Sequence, residues 1–174
     1  MRKLALLLSI IALPLVLTAM AAANSQTMTF VTLHETDPFP AATAACGFPI
    51  NLREDGSFKV TDFFDNSGAL SKEIVTNFGG PFTVTAINPA NGKSVTTQSE
   101  TEVTIATFNP DGSLASFQDS GVLFIFNVQG LGNILQAVGH RVFDPQTGVP
   151  IFIAGPHDFH DQNTDAFCSY MADP

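Results

Sequence analysis

The chain has 174 residues and a formal net charge of −9, with 16 acidic residues against seven basic ones. An acidic surface repels phosphate backbones and anionic lipid headgroups, so the composition excludes nucleic acid as a partner and disfavours membrane surfaces. Hydrophobic residues make up 45% of the chain, which is enough for one domain with its own core.

The first 23 residues have the organisation of a secretory signal peptide. Arg2 and Lys3 form a short positive start, an apolar run covers residues 4–20, and small residues follow up to Ala23. These are the three parts of such a signal. We predict cleavage after Ala23, or alternatively after Ser25, and secretion of a soluble protein with a formal charge of −11. No basic flank follows the apolar run, so we predict no stable membrane insertion after cleavage.

The next segment, residues 24–45, is predicted to be an N-terminal strand followed by an irregular crossing. The strand covers residues 27–36, where Thr and apolar residues predominate. Residues 37–45 are rich in Pro and Ala and carry no alternating pattern, which favours an irregular path over one end of the sheet. Residues 46–174 then form the predicted β domain.

Turn motifs divide the β domain into short runs. Asp-Gly and Asn-Gly pairs supply the positive φ that tight hairpins require, and Pro presets the backbone beside them. Such motifs recur about every 10 to 20 residues, which favours hairpin-connected strands over alternating helices. The predicted turns include residues 53–56, 88–92, 109–112, 130–132 and 144–148. The predicted strands of the whole chain cover residues 27–36, 48–52, 57–64, 70–78, 82–87, 94–98, 101–108, 114–118, 122–128, 134–143 and 150–154.

Alternation within the runs predicts how the strands face. Phe82, Val84 and Ala86 share one face of their strand, with threonines on the other. In the next run, Val103 and Ile105 alternate with Glu102 and Thr104, which is typical of an antiparallel sheet with one solvated face. We therefore predict an all-β fold, an antiparallel hairpin meander that closes into a barrel, with a β-sandwich as the alternative. A short helical turn over residues 163–171, capped by Thr164 or Asp165, is predicted at the C-terminus.

The only two cysteines are Cys46 and Cys168. An even number of cysteines in an exported chain predicts one structural disulfide. The alternative is a reactive thiol or a metal-binding pair, but no basic residue adjoins either cysteine and the spacing is not that of a metal motif.

His140 is the predicted candidate for catalysis. It lies on a predicted strand and shares a face with Val138 and Val142, while Arg141 lies on the opposite face. If the His140 face lined a barrel interior, the imidazole would be a titratable group beside a cavity, which is a usual setting for a general base. The alternative is an outward-facing histidine, or one whose ring is paired inside the sheet.

The densest polar cluster is His157-Asp158-Phe159-His160-Asp161, with Asp165 close behind it. Imidazole and carboxylate groups are ligands for zinc and other divalent ions, so His157, Asp158, His160 and Asp161 are candidate metal ligands. Their spacing matches no metal motif, and the alternative is a solvated loop. We predict no cofactor.

Two short motifs resemble those of a group of small secreted bacterial β-rich proteins for which no activity is known. They are Cys46-Gly-Phe-Pro49 and Gly155-Pro-His-Asp158, the latter followed by a late cysteine, and the similarity covers most of the chain after the signal peptide. The resemblance implies secretion, a β fold and a bridge between Cys46 and Cys168. It implies no activity and no catalytic residue.

Together these features predict a secreted β domain that is not an enzyme and binds a small apolar ligand or an extracellular macromolecule. One alternative is a barrel enzyme in which His140 and an interior carboxylate perform acid–base chemistry. The other is a structural or adhesive surface protein that uses exposed Thr-rich strands.

Overall fold

The computed structural model describes residues 25–78, 80, 82–99 and 102–173. The predicted signal peptide, and Thr101 at the start of one predicted strand, lie outside these residues. The described elements in chain order are β1 (Gln26–Pro38), α1 (Pro40–Cys46), β2 (Asn51–Phe64), β3 (Leu70–Asn77), β4 (Phe82–Ile87), β5 (Ser94–Ser99), β6 (Val103–Phe108), β7 (Leu114–Val128), β8 (Gly132–Phe143), β9 (Pro150–Ala154), α2 (Asp158–Asp161) and α3 (Asp165–Ala172).

The predicted all-β class is confirmed, because the strands form one antiparallel sheet with short helices beside it. β2 pairs with β1 along one edge and with β4 and then β3 along the other. The path through the sheet is β5-β4-β2-β3-β6-β7-β8-β9, with β1 attached to β2. This pairing does not close on itself in the described residues, so it does not establish the predicted barrel.

The sheet nevertheless curves over one face. β1 and β7 are four strand spacings apart, through β2, β3 and β6, which in a flat sheet would separate them by roughly 19 Å. Instead, Leu33 of β1 and Phe117 of β7 line one space of about 360 Å³. The curl encloses the sheet face that carries Glu54, Val84 and Arg141, and we call this the interior face.

Two predicted turns or breaks are wrong, because single long strands cover them. β2 runs through residues 53–56, and β7 joins the separately predicted runs 114–118 and 122–128. Gly56 permits the close packing of β4 on β2, since a Cβ there would lie 2.7 Å from Cδ2 of the Phe82 ring. In β7 the pairing register shifts between Val122 and Phe124, so the strand changes its alignment without ending.

The predicted irregular crossing at residues 37–45 is also wrong, because β1 extends to Pro38 and the helix α1 follows. Four of the seven residues in α1 are alanine, the strongest helix former, and Pro40 stands in the first turn, where its missing N–H costs no hydrogen bond. The helix ends at Gly47, which adopts the left-handed conformation with φ 75°. High local propensity therefore outweighs the absence of an amphipathic pattern.

The core lies at the end of the curled sheet that the helices cover. Phe126, Leu135, Ile50, Phe167 and Met171 are its largest fully buried side chains, from β7, β8, the segment before β2, and α3. The rings of Phe126 and Phe167 stack with their centroids 6.1 Å apart. The predicted C-terminal helical turn is confirmed as α3, although Thr164 at its N-cap makes no side-chain cap hydrogen bond. None of the helices in the described part of the chain has the length and apolarity of a membrane span.

The predicted disulfide is confirmed. Cys46 at the end of α1 and Cys168 in α3 are bonded, with their Cα atoms 5.1 Å apart and 122 positions apart in sequence. The bridge fastens the N-terminal helix to the C-terminal helix, above the core.

Candidate functional site

The interior face is not filled over its whole length, and the space it encloses is the candidate site. Two adjoining lobes of about 360 Å³ and 290 Å³ both have Glu54 and Glu102 in their walls. We call the two lobes together the interior cavity. Phe58, Phe82 and Phe117 line the larger lobe, and the smaller lobe lies beneath α1 and α2, with Phe39 and Phe159 in its walls. The cavity therefore combines aromatic walls with a set of charged and polar side chains, Glu54, Glu73, Asn77, Glu102, Thr104 and Arg141.

Strand register explains why charged side chains meet there. Residues directly paired across antiparallel strands share a face, and Thr104 of β6 is paired with Asp119 of β7, which is paired with Arg141 of β8. Val75 of β3 is paired both with Thr104 and with Val60 of β2, and Glu54 lies an even number of positions from Val60, so Glu54 shares this face. The sheet thus collects polar groups from four strands that are distant in sequence.

Asp119 and Arg141 form an ion pair with two parallel hydrogen bonds. Nε of Arg141 donates to Oδ1 of Asp119 at 2.9 Å, and Nη2 donates to Oδ2 at 2.6 Å. The Asp119 side chain is 6% exposed and the Arg141 side chain 24% exposed, so the pair is largely shielded from water. The two-bond geometry fixes the plane of the guanidinium beside the cavity.

Among the described residues, Glu102 has the carboxyl whose pKa lies furthest from its ordinary value. Its burial, together with repulsion from Asp119 and Glu54, raises the pKa of the Glu102 carboxyl to about 7, against the opposing charge of Arg141. Burial also raises the pKa of Glu54, and the carboxylates of Asp37 and Glu35 add to the effect. The cavity therefore holds a carboxyl group that titrates near neutral pH.

A second carboxyl pair lies at the far end of the larger lobe. Glu73 of β3 is paired in register with Asp62 of β2. Burial raises the pKa of Glu73, and so do the charge of Asp62 and its hydrogen bond to Glu73. The buried Oδ1 of Asp62 receives no hydrogen bond from the other described residues, which leaves it available to accept one from the protonated Glu73 carboxyl.

His140 and Arg141 lie on opposite faces, as the sequence predicts, but Arg141 is the one on the interior face. The Nδ1 atom of His140 lies 2.7 Å from the hydroxyl of Ser120 and 3.1 Å from the carbonyl oxygen of Asp119. Its ring also lies beside the half-exposed ring of Phe152, at 5.8 Å between centroids. The structure therefore does not bring His140 together with an interior carboxylate.

The four candidate metal ligands do not point to a common centre. Asp158 accepts hydrogen bonds from the backbone N–H of Gln136 at 2.7 Å and from the Asn163 amide at 3.3 Å. Asp161 accepts from the backbone N–H of His157 and pairs with the exposed ring of His160. Asp165 lies in the first turn of α3. Within residues 25–78, 80, 82–99 and 102–173, no three His, Cys, Asp or Glu side chains are grouped so as to hold a metal ion.

Sequence reasoning missed the polar residues of the interior cavity. It assigned Glu54 to a turn, and it took Glu102 and Thr104 as the solvated face of their strand. In the structure this polar face lines the cavity, whereas Val103 and Ile105 lie half-buried on the other side. The charges at Glu102, Asp119 and Arg141 in otherwise apolar or Thr-rich strands were the available signal.

No protein family, curated protein or solved structure was found to match this chain.

Proposed function

We propose that this protein is an exported binding domain that holds a small, mainly apolar ligand in the interior cavity. The single observation that supports the proposal is that the curved sheet leaves a cavity whose walls hold aromatic rings beside a cluster of charged side chains. Ligand sites typically occupy about 300–1,000 Å³, so the two lobes together suit a small organic molecule. The lining of the larger lobe by residues from β1, β2, β3 and β7 supports a barrel-like enclosure of that space.

The polar groups determine how such a ligand would be oriented. The Arg141 guanidinium is held in place by Asp119, and the Glu102 carboxyl donates a hydrogen bond when it is protonated. A ligand with an apolar body and one hydrogen-bond acceptor would place the acceptor against Glu102 and its body against the Phe58 and Phe82 rings. The disulfide supports export, because such bonds persist in oxidising compartments.

A second candidate function is acid–base catalysis in the same cavity. It is favoured by Glu102, since a carboxyl with a pKa of about 7 is able both to give and to take a proton at neutral pH. In this alternative Glu102 replaces His140 as the reacting group, because His140 lies on the opposite face of the sheet.

The binding proposal is tested with N-phenyl-1-naphthylamine, a neutral apolar dye that fluoresces when it leaves water. We expect saturable binding to the purified exported protein and at least about tenfold weaker binding to the Thr104→Phe variant, whose new ring would occupy the cavity. Val103→Phe is the matched control, because this neighbouring residue lies on the other face of β6. Absence of saturable binding, or equal losses in the two variants, would refute the proposal.

A further inference from the structure

A separate cavity, of about 240 Å³, lies where β8, β9 and α2 meet. Its apolar wall includes Pro150 and Ile153 from β9 and Phe159 from α2, and its polar wall includes Arg141 and His157. We call it the His157 cavity. It adjoins the interior cavity at Ala137, Arg141 and Phe159, which line both.

The charged groups around the His157 cavity already have partners. Arg141 is paired with Asp119, and Asp158 accepts hydrogen bonds from the Gln136 backbone and the Asn163 amide. His160 pairs with Asp161 at 3.1 Å. No charge in this wall therefore requires a counter-ion from a ligand.

His157 is different. Its side chain is 4% exposed, and both ring nitrogens are buried without a hydrogen-bond partner in the described part of the chain. Its backbone is held in place, since Ala137 of β8 bridges to His157 and the neighbouring Pro156 carbonyl accepts from the Val138 N–H. A buried polar group without a partner is costly in a folded protein, so its persistence in a cavity wall indicates a partner that enters from the cavity.

The state of the imidazole limits what this partner is. Burial lowers the pKa of His157, and the charge of Arg141 lowers it further, against the opposing influence of Asp119 and Asp161. The ring is therefore neutral at pH 7, with one nitrogen as a donor and the other as an acceptor. A hydroxyl group both donates and accepts, so it is able to pair with either nitrogen in either tautomer.

We propose that the His157 cavity binds an uncharged organic molecule that carries a hydroxyl group, with the hydroxyl hydrogen-bonded to His157 and the apolar body against Ile153, Pro150 and Phe159. An anion would face the carboxylate of Asp158 in the cavity wall. A cation would face the guanidinium of Arg141. An alcohol or phenol meets neither obstacle.

The test uses 1-naphthol and 1-methylnaphthalene, which have the same ring system and differ by a hydroxyl in place of a methyl group. The ring nitrogens of His157 are observed by long-range ¹H–¹⁵N NMR in the native protein, with the His157→Gln variant used to assign the signals. We expect 1-naphthol to shift the His157 ring nitrogens in a saturable way and 1-methylnaphthalene to leave them unchanged. Unmoved His157 signals at a saturating naphthol concentration, or equal shifts with both compounds, would overturn the proposal.

Affinity provides the second measurement. Loss of one hydrogen bond to the ligand should weaken 1-naphthol binding by about tenfold in His157→Phe, with no change for 1-methylnaphthalene. Thr104→Phe, which fills the interior cavity, should leave the His157 signals responsive to naphthol. A Thr104→Phe variant that loses the naphthol response would place the alcohol in the interior cavity and also overturn the proposal. Failure of dye binding in the interior cavity, by contrast, leaves this result unaffected.

Discussion

Asp119 and Arg141 face each other across β7 and β8 and form two hydrogen bonds, at 2.9 Å and 2.6 Å, on the interior face of the sheet. The pair lies between the two cavities proposed as binding sites. It also contributes to the electrostatic environment of both Glu102 and His157. Its integrity is therefore the first property to test.

Arg141→Met should destabilise the fold by about 3 kcal/mol, because the substitution leaves the Asp119 carboxylate buried without its counter-charge. Urea unfolding at pH 7 measures the change. Arg53→Met is the control, since it breaks the exposed pair between Arg53 and Asp55 and should cost far less. Similar losses in the two variants would show that burial does not decide the contribution of the Asp119–Arg141 pair.

Glu102 should make the fold less stable as the pH rises. Its pKa of about 7 in the folded state exceeds the ordinary value of 4.5, so the native protein binds more protons than the unfolded chain between these values. Stability that depends on protonated Glu102 is present below about pH 4.5 and is lost as the pH rises through 7. Glu102→Gln should therefore be more stable than the native protein by about 2 kcal/mol at pH 8, with little difference at pH 4.5.

Unfolding free energies between pH 4 and 8 check the Glu102 prediction. The exposed Glu35→Gln substitution changes the net charge equally and serves as the control. A constant difference between Glu102→Gln and the native protein over this range would contradict the raised pKa.

Replacement of both Cys46 and Cys168 by serine should lower stability by about 4 kcal/mol, because the bridge closes a loop of 122 positions that the unfolded chain otherwise leaves open. Thermal unfolding with and without reductant checks this expectation. Reductant should destabilise the native protein and have no effect on the double variant. Free thiols in the native protein, detected by intact mass after alkylation, would rule out the bridge.

Gly139→Ala should lower the free energy of unfolding by about 3 kcal/mol, because the new methyl group must either push β9 away from β8 or strain the backbone. Gly139 has φ +126°, and a Cβ at this position would collide with the carbonyl oxygen of Ala154. Gly130→Ala is the matched control, because Gly130 also has a positive φ, of +86°, but has open space around it. This substitution should lower the free energy of unfolding by only about 1 kcal/mol. Equal effects would mean that backbone strain, and not the close approach of β9, accounts for both losses.

Several features were predictable because they depend on short-range chemistry. Asn-Gly and Asp-Gly turns end strands wherever a positive φ is required, as at Gly92 and Gly112. The alternation of Phe82, Val84 and Ala86 predicted a buried strand face, and all three side chains are buried. The cysteine count predicted the bridge between Cys46 and Cys168, which the structure contains.

Local patterns were insufficient where two tendencies compete. The Asp-Gly pair at residues 55–56 reads as a turn, but pairing with β1 on one edge and β4 on the other keeps β2 extended. The alanines of α1 carry no periodic apolar signal, so only their intrinsic propensity favours a helix, and the disulfide then fixes that helix against α3.

The sequence by itself determined the β class, most hairpin turns, the bridge, and which residues of a strand share a face. Only the tertiary structure decided which face is enclosed. Alternation places Glu102 with Thr104, and His140 opposite Arg141, but an isolated strand looks the same whichever side is covered. The curvature that brings Leu33 of β1 and Phe117 of β7 around one space encloses the face of Glu102 and Arg141 and leaves His140 on the other side, because strand register joins groups that the chain keeps far apart.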